Sequence, residues 1–502
     1  MKLLYVLPLL LATPVLAQTP ATFAAQTTFT TGPSSSPVSV AAADMNGDGK
    51  PDVLVANFLS SNVGVLLNTT ATGATTASFG PQAIFVSGSG SFPISVAAAD
   101  VNGDGKPDLL VANRNDSRVG VLLNTTTPGA ATVSLATQTT FVTGNTPVSL
   151  AVADVNGDGR PDVLTANQGS GTVSVLLNTT APGAATASFA AQASFTTGTV
   201  PVSVAAADVN GDGKPDLLVA NSQSNNVVVL LNTTATGATT ASFAARAIFA
   251  PGTPPASVTG ADVNADNKPD LLVVYSSSNN SVGVLLNTTA TGATTASFGP
   301  QGNLTTGTTP YSVVAADVNG DSKPDLLVPN YGSSNVGVLL NATAPGAAMV
   351  SFAAQLTYPT GSSPTSVAVA DVNGDRRPDL IVANYGGNTV GVLLNTGTYT
   401  PLPTRAALPG TAATLYPNPA HGSATLTATG LPAAATQLAA VLLNPLGQEV
   451  HRLLVPATAG AATATVPTSG LAAGLYLLRL DAVGAQGAAL GALPTQRLSV
   501  AE

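Results

Sequence analysis

The sequence lacks cysteine and tryptophan and contains only two histidines among 502 residues. Without cysteine the chain has no disulfide, no thiolate zinc site and no cysteine nucleophile. Charged residues make up 8% of the chain and aromatic residues 4%. The 16 basic residues form no basic run, so the sequence shows no signal for nucleic-acid binding. Hydrophobic residues reach 44%, which is enough for a packed core and too much for a disordered chain.

The acidic residues are concentrated in one recurring motif. The nine residues 44–52 read DMNGDGKPD, and near copies begin at Asp100, Asp154, Asp208, Asp262, Asp317 and Asp371. These seven copies hold 21 of the 25 acidic residues, so the net charge of −9 reports seven local clusters and not an acidic surface. The first aspartates lie 56, 54, 54, 54, 55 and 54 residues apart, a spacing typical of a repeat architecture.

The N-terminus has the pattern of an export signal. Lys2 is followed by an apolar stretch and by small residues that end at Ala17. We therefore predict a signal peptide at residues 1–17 and a mature chain that begins at Gln18. The apolar stretch is too short for a membrane span, and no later segment is long enough to be one.

Each repeat predicts four short strands. In the fourth copy, PVSVAAAD leads into the aspartate loop, DLLVAN follows it, NVVVLLNTT comes next, and an outer run like ASFAAQASFTTG ends the unit. These runs are rich in Val and Ala and are bounded by Gly, Asn, Pro or Ser, and none shows helical periodicity. Four strands in each of seven repeats predict an all-β chain with a seven-bladed β-propeller at residues 18–395.

The two ends of the repeat region predict a closed ring. Residues 21–32 match the fourth strand of the unit, whereas the last repeat stops after its third strand. The N-terminal segment can therefore complete the seventh blade. Residues 396–414 are rich in Pro and Thr and are predicted to be a linker, and residues 415–502 are predicted to form a small β-sandwich.

The loop chemistry predicts a site for a hard cation. Loop positions 1, 3, 5 and 9 carry oxygen side chains, glycines at positions 4 and 6 let the backbone curl, and a backbone carbonyl at position 7 can turn inward. Calcium suits six to eight oxygen ligands in a flexible turn better than magnesium does, so we expect up to seven calcium sites. The predicted ligands are Asp44, Asn46, Asp48, Asp52, Asp100, Asn102, Asp104, Asp108, Asp154, Asn156, Asp158, Asp162, Asp208, Asn210, Asp212, Asp216, Asp262, Asn264, Asp266, Asp270, Asp317, Asn319, Asp321, Asp325, Asp371, Asn373, Asp375 and Asp379.

Two other interpretations of the loops compete with this one. An EF-hand needs a glutamate at position 12, where the seven copies have only valine or threonine. A metal-free turn capped by Asp and Asn needs one such side chain, not four in every copy. Position 6 is expected to need a left-handed backbone, so Ser322 and Arg376, which replace glycine there, predict weaker binding at the last two sites.

The loops DVNGDGKPDLLVAN resemble those of FG-GAP/VCBS repeat proteins, the class that includes the integrin α-subunit propeller. The resemblance covers residues 21–395 and implies a seven-bladed propeller with calcium in a hairpin loop of each blade, and ligands on the opposite face. The motifs LYPNPA, LNPLGQEV and GLAAGLYLLRL of residues 415–480 resemble the type A sorting domain of the type IX secretion system. That resemblance implies transport across an outer membrane through the type IX machinery.

The turns after the second strand differ from copy to copy, and they supply candidates for ligand binding. These candidates are Phe58, Arg114, Asp116, Arg118, Tyr331 and Tyr385. Tyrosines suit stacking on a sugar or a peptide, although drift in exposed turns also explains such differences.

Three functions remain open at this level. The first is a secreted or surface calcium-binding module for adhesion, with a glycan or protein ligand. The second is a calcium-dependent polysaccharide-active enzyme or lectin, and the third is a coat protein without a specific ligand. We expect no enzyme, because residues 18–395 contain no His, Glu or Cys and nearly all their aspartates lie in the loops.

Overall fold

The computed structural model describes residues 21–250, 253–276, 280–397, 411–421, 423–443, 449–458, 460–467, 474–484 and 489–500. The predicted signal peptide at residues 1–17 and most of the predicted linker lie outside these ranges. The chain forms two compact units, one up to Tyr399 and one from Thr400 onward.

The first unit consists of short β-strands. In chain order they are β1 (Thr27–Thr30), β2 (Pro37–Ala43), β3 (Asp52–Asn57), β4 (Asn62–Leu66), β5 (Ala83–Val86), β6 (Pro93–Ala99), β7 (Asp108–Asn113), β8 (Arg118–Leu122), β9 (Thr139–Val142), β10 (Pro147–Ala153), β11 (Asp162–Asn167), β12 (Thr172–Leu176), β13 (Ala193–Thr196) and β14 (Pro201–Ala207). They continue as β15 (Asp216–Asn221), β16 (Asn226–Leu230), β17 (Ala247–Phe249), β18 (Pro255–Ala261), β19 (Asp270–Tyr275), β20 (Ser281–Leu285), β21 (Gly302–Thr305), β22 (Val314–Ala316), β23 (Asp325–Asn330), β24 (Asn335–Leu339), β25 (Leu356–Pro359), β26 (Pro364–Ala370), β27 (Asp379–Asn384) and β28 (Thr389–Leu393). One 3₁₀ turn, Tyr385–Gly387, follows β27.

These strands pair into seven antiparallel sheets of four strands. We number the sheets 1 to 7 by the order of their innermost strands, so that sheet 1 is β2-β3-β4-β5 and sheet 7 is β26-β27-β28-β1. The second strand of every sheet is buried along its whole length, which explains its continuous run of Val, Leu and Ala. Repeated sheets of four strands confirm the prediction of an all-β, propeller-like fold.

The N-terminal strand completes sheet 7, as the offset of the repeats predicts. β1 pairs with β28 from Thr27↔Val392 to Thr30↔Thr389. Phe23 forms a further bridge with Asn395, and its ring lies edge-on to Tyr358 of sheet 6 at 5.0 Å. The two ends of the unit are therefore held together by backbone hydrogen bonds, and an aromatic contact joins the N-terminal segment to sheet 6.

The hydrophobic core lies between the sheets. Seven clusters of buried side chains occupy the interfaces between consecutive sheets, and one of them joins sheet 7 to sheet 1 through residues such as Val40, Val55, Ile381 and Val392. Each sheet thus buries both faces against neighbours, and the set of seven closes on itself. No sheet has a stable core of its own, which is the energetic reason that the repeats fold together.

Serines on the innermost strands join neighbouring sheets by hydrogen bonds. The backbone N–H of Val96 donates to Ser39 Oγ at 3.2 Å, and that of Val40 donates to Ser366 Oγ at 3.3 Å across the closure. Equivalent bonds run from Leu150, Val204 and Val258 to the preceding sheet. The innermost strands therefore form a hydroxyl-lined ring.

Two details differ from the sequence expectation. The outer run of each repeat is not one strand but an isolated bridge, such as Phe189↔Asn178, followed by a strand of three or four residues, here β13. In sheet 6 the innermost strand is shortened to β22, because Pro329 stands where other sheets have a residue with an N–H group. Without that N–H the ladder to Ser312 is lost.

The described residues of the second unit form seven strands. They are β29 (Ala412–His421), β30 (Ser423–Thr429), β31 (Ala435–Leu443), β32 (Glu449–Pro456), β33 (Ala461–Pro467), β34 (Gly474–Gly484) and β35 (Ala489–Val500). The order is β32-β31-β34-β35-β29-β30-β33, and the two halves meet at a single parallel bridge between Ala420 and Val500. Both halves contribute to one core, with Leu426 and Val466 from one and Leu438 and Leu480 from the other.

Candidate functional site

The seven aspartate loops connect the first and second strands of their sheets and share one backbone conformation. Position 6 has a positive φ in every copy, from +64° at Asn267 to +84° at Gly49 and Gly213. Ser322 and Arg376 take the same conformation, with φ of +66° and +67°. The prediction of a left-handed residue at this position is confirmed.

The first and fifth positions fold the loop by accepting backbone hydrogen bonds. Asp44 Oδ1 accepts the N–H of Asp48 at 3.1 Å, and Asp44 Oδ2 accepts that of Gly49 at 2.7 Å. Asp48 Oδ1 accepts the N–H of Lys50 at 2.9 Å. Asn46 Oδ1 also contacts the N–H of Asp48, at 3.2 Å, so oxygens of positions 1 and 3 converge on one amide.

The ninth position is buried beneath the loop. Asp52 has no exposed surface, and its two carboxylate oxygens accept the N–H groups of Met45 at 2.8 Å and Asn68 at 2.7 Å. The same pair of bonds recurs in all seven loops. Burial raises the pKa of Asp52 to about 6, while the two backbone hydrogen bonds limit the rise. The pKa values of Asp325 and Asp379 rise to about 7 for the same reason.

Two asparagines tie each loop to the neighbouring sheets. The side-chain amide of Asn46 donates to the carbonyl of Ala130 in sheet 2 at 3.1 Å. Asn124, the first residue of an NTT sequence, donates back to the carbonyl of Met45 at 2.9 Å. The second bond occurs in all seven sheets. The NTT asparagines are thus buried links between sheets, with 0–3% exposure, in agreement with a structural role at the end of the third strand.

The donor set of the loops suits a hard cation. Asp44, Asn46 and Asp48 contribute oxygen acceptors, and Asp44 Oδ1 and Asn46 Oδ1 both contact the N–H of Asp48. The side-chain amide of Asn46 also donates to Asp48 Oδ2 at 3.3 Å. A carboxylate has about four lone-pair positions, so an oxygen that accepts one N–H can still bind a metal. Among the described residues, no three acidic or histidine side chains lie close enough together to hold a metal by themselves. A cation would therefore need the amide oxygen of position 3 and backbone carbonyls besides the acids.

The other end of the sheets carries a wide cavity. It lies where the first strand of each sheet begins and the second strand ends, beside Val38 and Ser39. Its volume is about 590 Å³. A second cavity of about 340 Å³ adjoins it and is lined by Phe58, Tyr331 and Tyr385. Arg114 lines both cavities.

Four of the six sequence-predicted ligand residues therefore come together. Phe58, Arg114, Tyr331 and Tyr385 are far apart in sequence and share the second cavity. Asp116 and Arg118 are exposed and do not line either cavity. Of the three charged candidates, Arg114, Asp116 and Arg118, only Arg114 therefore lines the cavities.

Sequence reasoning missed Tyr311, which lines both cavities and is 42% exposed. Its ring centre lies 6.2 Å from that of Tyr331, which in turn lies 6.4 Å from Tyr385. Tyr311 lies between Pro310, which forms an isolated bridge with Asn330, and the shortened strand β22 of sheet 6. Pro329, the proline that interrupts that sheet, is the sequence signal from which an unusual local structure could have been inferred.

Comparisons with known families agree with the repeat pattern. The FG-GAP-like repeat matches at residues 15–55, 44–111, 100–165, 154–219, 208–273 and 262–328, which together span more than half of the chain. The FG-GAP repeat matches at residues 309–348 and 363–399. A secretion system C-terminal sorting domain matches at residues 414–487.

Several solved structures are similar to this chain at low sequence identity. A chain in the crystal structure of Chaetomium thermophilum polycomb repressive complex 2 is 10% identical, with 75% of this chain and 98% of that chain covered and a TM-score of 0.50. A Lactobacillus plantarum protein is 16% identical, with 64% of this chain and 85% of that chain covered and a TM-score of 0.43. The extracellular domain of a hybrid two component system from B. thetaiotaomicron is 10% identical, with 96% and 60% covered and a TM-score of 0.41. No curated protein matches the sequence.

The sorting domain places the protein outside the cell. A type IX sorting domain directs export across the outer membrane, to the cell surface or the extracellular space. Within the part of the chain that the structure describes, we find no helix with the length and apolar character of a membrane span.

Proposed function

Because the chain belongs to the FG-GAP-like repeat family and carries a secretion system C-terminal sorting domain, we propose that it is a calcium-stabilised binding module. It acts outside the outer membrane, and its ligand is a surface glycan or protein. The type IX machinery is its partner during export, through the C-terminal domain. We expect no catalytic activity.

The observation that carries this proposal is the separation of two kinds of site. The aspartate loops lie at one end of the sheets and hold nearly all the acidic groups. The cavity lies at the other end and gathers Phe58, Arg114, Tyr331 and Tyr385 from four different sheets. The first end suits structural ions and the second suits a ligand.

Calcium acts on stability in this proposal. In each loop the acidic and amide oxygens of positions 1, 3 and 5 would hold the ion, together with the carbonyl of position 7 and the carboxylate of position 9. The ion supplies positive charge that offsets the repulsion between neighbouring carboxylates. The chain itself provides the curled backbone and the hydrogen bonds that hold these oxygens together.

We predict that chelation lowers the melting temperature by many degrees. Extracellular modules bind calcium at about 10⁻⁴ to 10⁻³ M, and ion at ten times its dissociation constant stabilises a protein by about 1.4 kcal/mol per site. Circular dichroism melts with millimolar calcium and with EDTA measure the effect, and elemental analysis counts the bound ions. A shift below about 2 °C, or a purified protein without metal, would contradict the calcium part of the proposal.

The binding part is tested separately. The exported chain is labelled and applied to glycan arrays and to cells, and the variant Tyr331→Ala with Tyr385→Ala is run beside it. We expect at least one ligand whose binding falls in the double variant. Equal binding by the parent and the double variant would show that the cavity is not the binding site. No binding to any glycan or cell would favour a coat protein without a specific ligand.

A further inference from the structure

The cavity opposite the aspartate loops carries one unneutralised positive charge. Of the described residues that line the two cavities, Arg114 alone is charged. Its Nη2 donates to Gln168 Oε1 at 3.3 Å, while its buried Nε has no hydrogen-bond partner. Among the described residues, no carboxylate lies within ion-pair distance of Arg114. A guanidinium with unused donors is suited to bind a carboxylate with two parallel hydrogen bonds.

Aromatic rings stand beside this charge. Tyr311, Tyr331 and Tyr385 form a row with centroid distances of 6.2 and 6.4 Å, and all three line the second cavity with Arg114. Phe58, on the same wall, stacks on Phe92 at 5.0 Å. Such rings offer flat apolar faces, and the tyrosines add hydroxyl groups, which is a combination that suits the faces and edges of sugar rings.

The floor of the larger cavity is a ring of hydroxyl groups. Ser39, Ser95 and Ser149 line it, and the Oγ of each accepts a backbone N–H from the next sheet. Within the described residues none of these three hydroxyls donates a hydrogen bond, so each keeps a proton that can be donated to a ligand oxygen. The side chain of Ser203 differs, since its Oγ donates to the carbonyl of Val258 at 3.4 Å.

We infer that this cavity binds an acidic carbohydrate, with the carboxylate of a uronic or sialic acid on Arg114 and the sugar rings against the tyrosines. The inference rests on the proposed binding function and names its ligand class. A volume of about 590 Å³ accommodates a ligand of a few sugar units. A peptide carboxylate shares the charge, but the repeated hydroxyls of the floor match a polyol better than a peptide backbone.

The test is calorimetric titration of the full chain in calcium buffer. The acidic probes are trigalacturonate, trimannuronate and 3′-sialyllactose, and galactotriose and lactose are the neutral counterparts. We expect at least one acidic probe to bind at least ten times more tightly than its neutral counterpart. Equal binding of acidic and neutral probes, or no binding of any acidic probe at 10 mM, overturns the inference.

Variants locate the binding. Arg114→Gln should lower the affinity for the acidic probe at least ten-fold, and Tyr331→Ala should lower it several-fold. Arg376→Gln, the same change of charge in an aspartate loop, should leave the affinity within two-fold of the parent. Melting curves of all three variants establish that they are folded. Acidic-sugar binding that survives Arg114→Gln overturns the inference.

Two further measurements distinguish a failure of this inference from a failure of the proposed function. A Gly-Gly-Tyr peptide that binds through its free carboxylate, while acidic sugars do not, assigns the cavity to peptide C-termini and overturns the sugar class. A neutral glycan or a protein that binds equally to the parent and to Arg114→Gln overturns the inference and leaves the binding module in place. Loss of calcium dependence in the melts affects only the proposed role of the ion.

Discussion

At the residue scale, one aspartate motif serves two physical purposes. Asp104 lies at position 5 and binds only within its loop, where it accepts the N–H of Lys106 at 3.0 Å. Asp108 lies at position 9 and is fully buried, and its oxygens accept the N–H groups of Val101 and Asn124 at 2.7 Å each. Both residues belong to the proposed cation site, but only the second also joins the loop to the end of the third strand. Two carboxylates of one loop should therefore respond differently to the same substitution.

We predict that Asp108→Asn lowers stability both with and without calcium. One amide N–H₂ would face a buried backbone N–H, which costs about 1–3 kcal/mol for the unsatisfied group. Asp104→Asn should reduce only the stabilisation that calcium adds. Urea titrations followed by circular dichroism, each with calcium and with EDTA, measure both effects. Equal behaviour of the two variants would contradict this division of roles.

The left-handed position of the loops gives a second prediction. Ser322→Gly and Arg376→Gly should each raise the free energy of unfolding by about 1 kcal/mol, because glycine adopts a positive φ without the steric cost of a Cβ. Gly105→Ala is the reverse control, since a Cβ there would meet no atom within 4 Å and only the backbone conformation is penalised. Destabilisation by either glycine variant in calcium-free urea titrations would argue against strain at this position.

At the scale of the strand pair, a small residue of the third strand and a glutamine of the outer run fit together. Gly120 faces Gln138, and a Cβ on Gly120 would lie only 2.9 Å from Gln138 Cγ and closer still to the amide. Sheet 4 breaks the pattern at both positions, with Val228 for the glycine and Arg246 for the glutamine. Arg246 points elsewhere and donates to the carbonyl of Thr197 at 2.7 Å. The two positions thus change together within one chain.

Gly120→Val should consequently destabilise the protein by about 1–3 kcal/mol, through overpacking against Gln138. Adding Gln138→Arg, which copies sheet 4, should recover part of that loss. A double-mutant cycle measures the recovery, with an expected coupling of about 1 kcal/mol. Additive effects of the two substitutions would show that the glutamine does not fill the space over the glycine.

At the scale of the whole molecule, stability depends on closing the ring. The interface of sheets 7 and 1 includes Val40 and Ile381, the hydrogen bond from Val40 to Ser366, and an edge-on contact of Phe29 with Phe79 at 5.0 Å. β1 supplies the outer strand of sheet 7, so its loss leaves β28 as an unpaired edge. The first and last strands of the first unit are therefore expected to be essential to its stability.

The melting temperature of a chain that lacks residues 18–32 should be at least about 5 °C lower than that of the full chain. The shortened chain should also aggregate, which size-exclusion chromatography detects. The matched control ends at residue 397 and lacks the second compact unit, and it should keep the melting temperature of the first unit. A monomeric N-terminal truncation with an unchanged melting temperature would refute the role of the closing strand.

The sequence by itself determined the repeat length, the four strands of each unit, the completion of the last sheet by the first strand, and the left-handed turn at loop position 6. These features follow from local chemistry: short apolar runs of Val, Leu and Ala form strands, and Gly, Asn and Asp form turns. Only the tertiary structure showed that the carboxylate of Asp52 accepts hydrogen bonds from backbone N–H groups. It also showed that Arg114 lines the second cavity whereas Asp116 does not, and that Tyr311 belongs to the aromatic row. Those outcomes depend on how loops and strands that are distant in sequence pack together, which no local sequence pattern specifies.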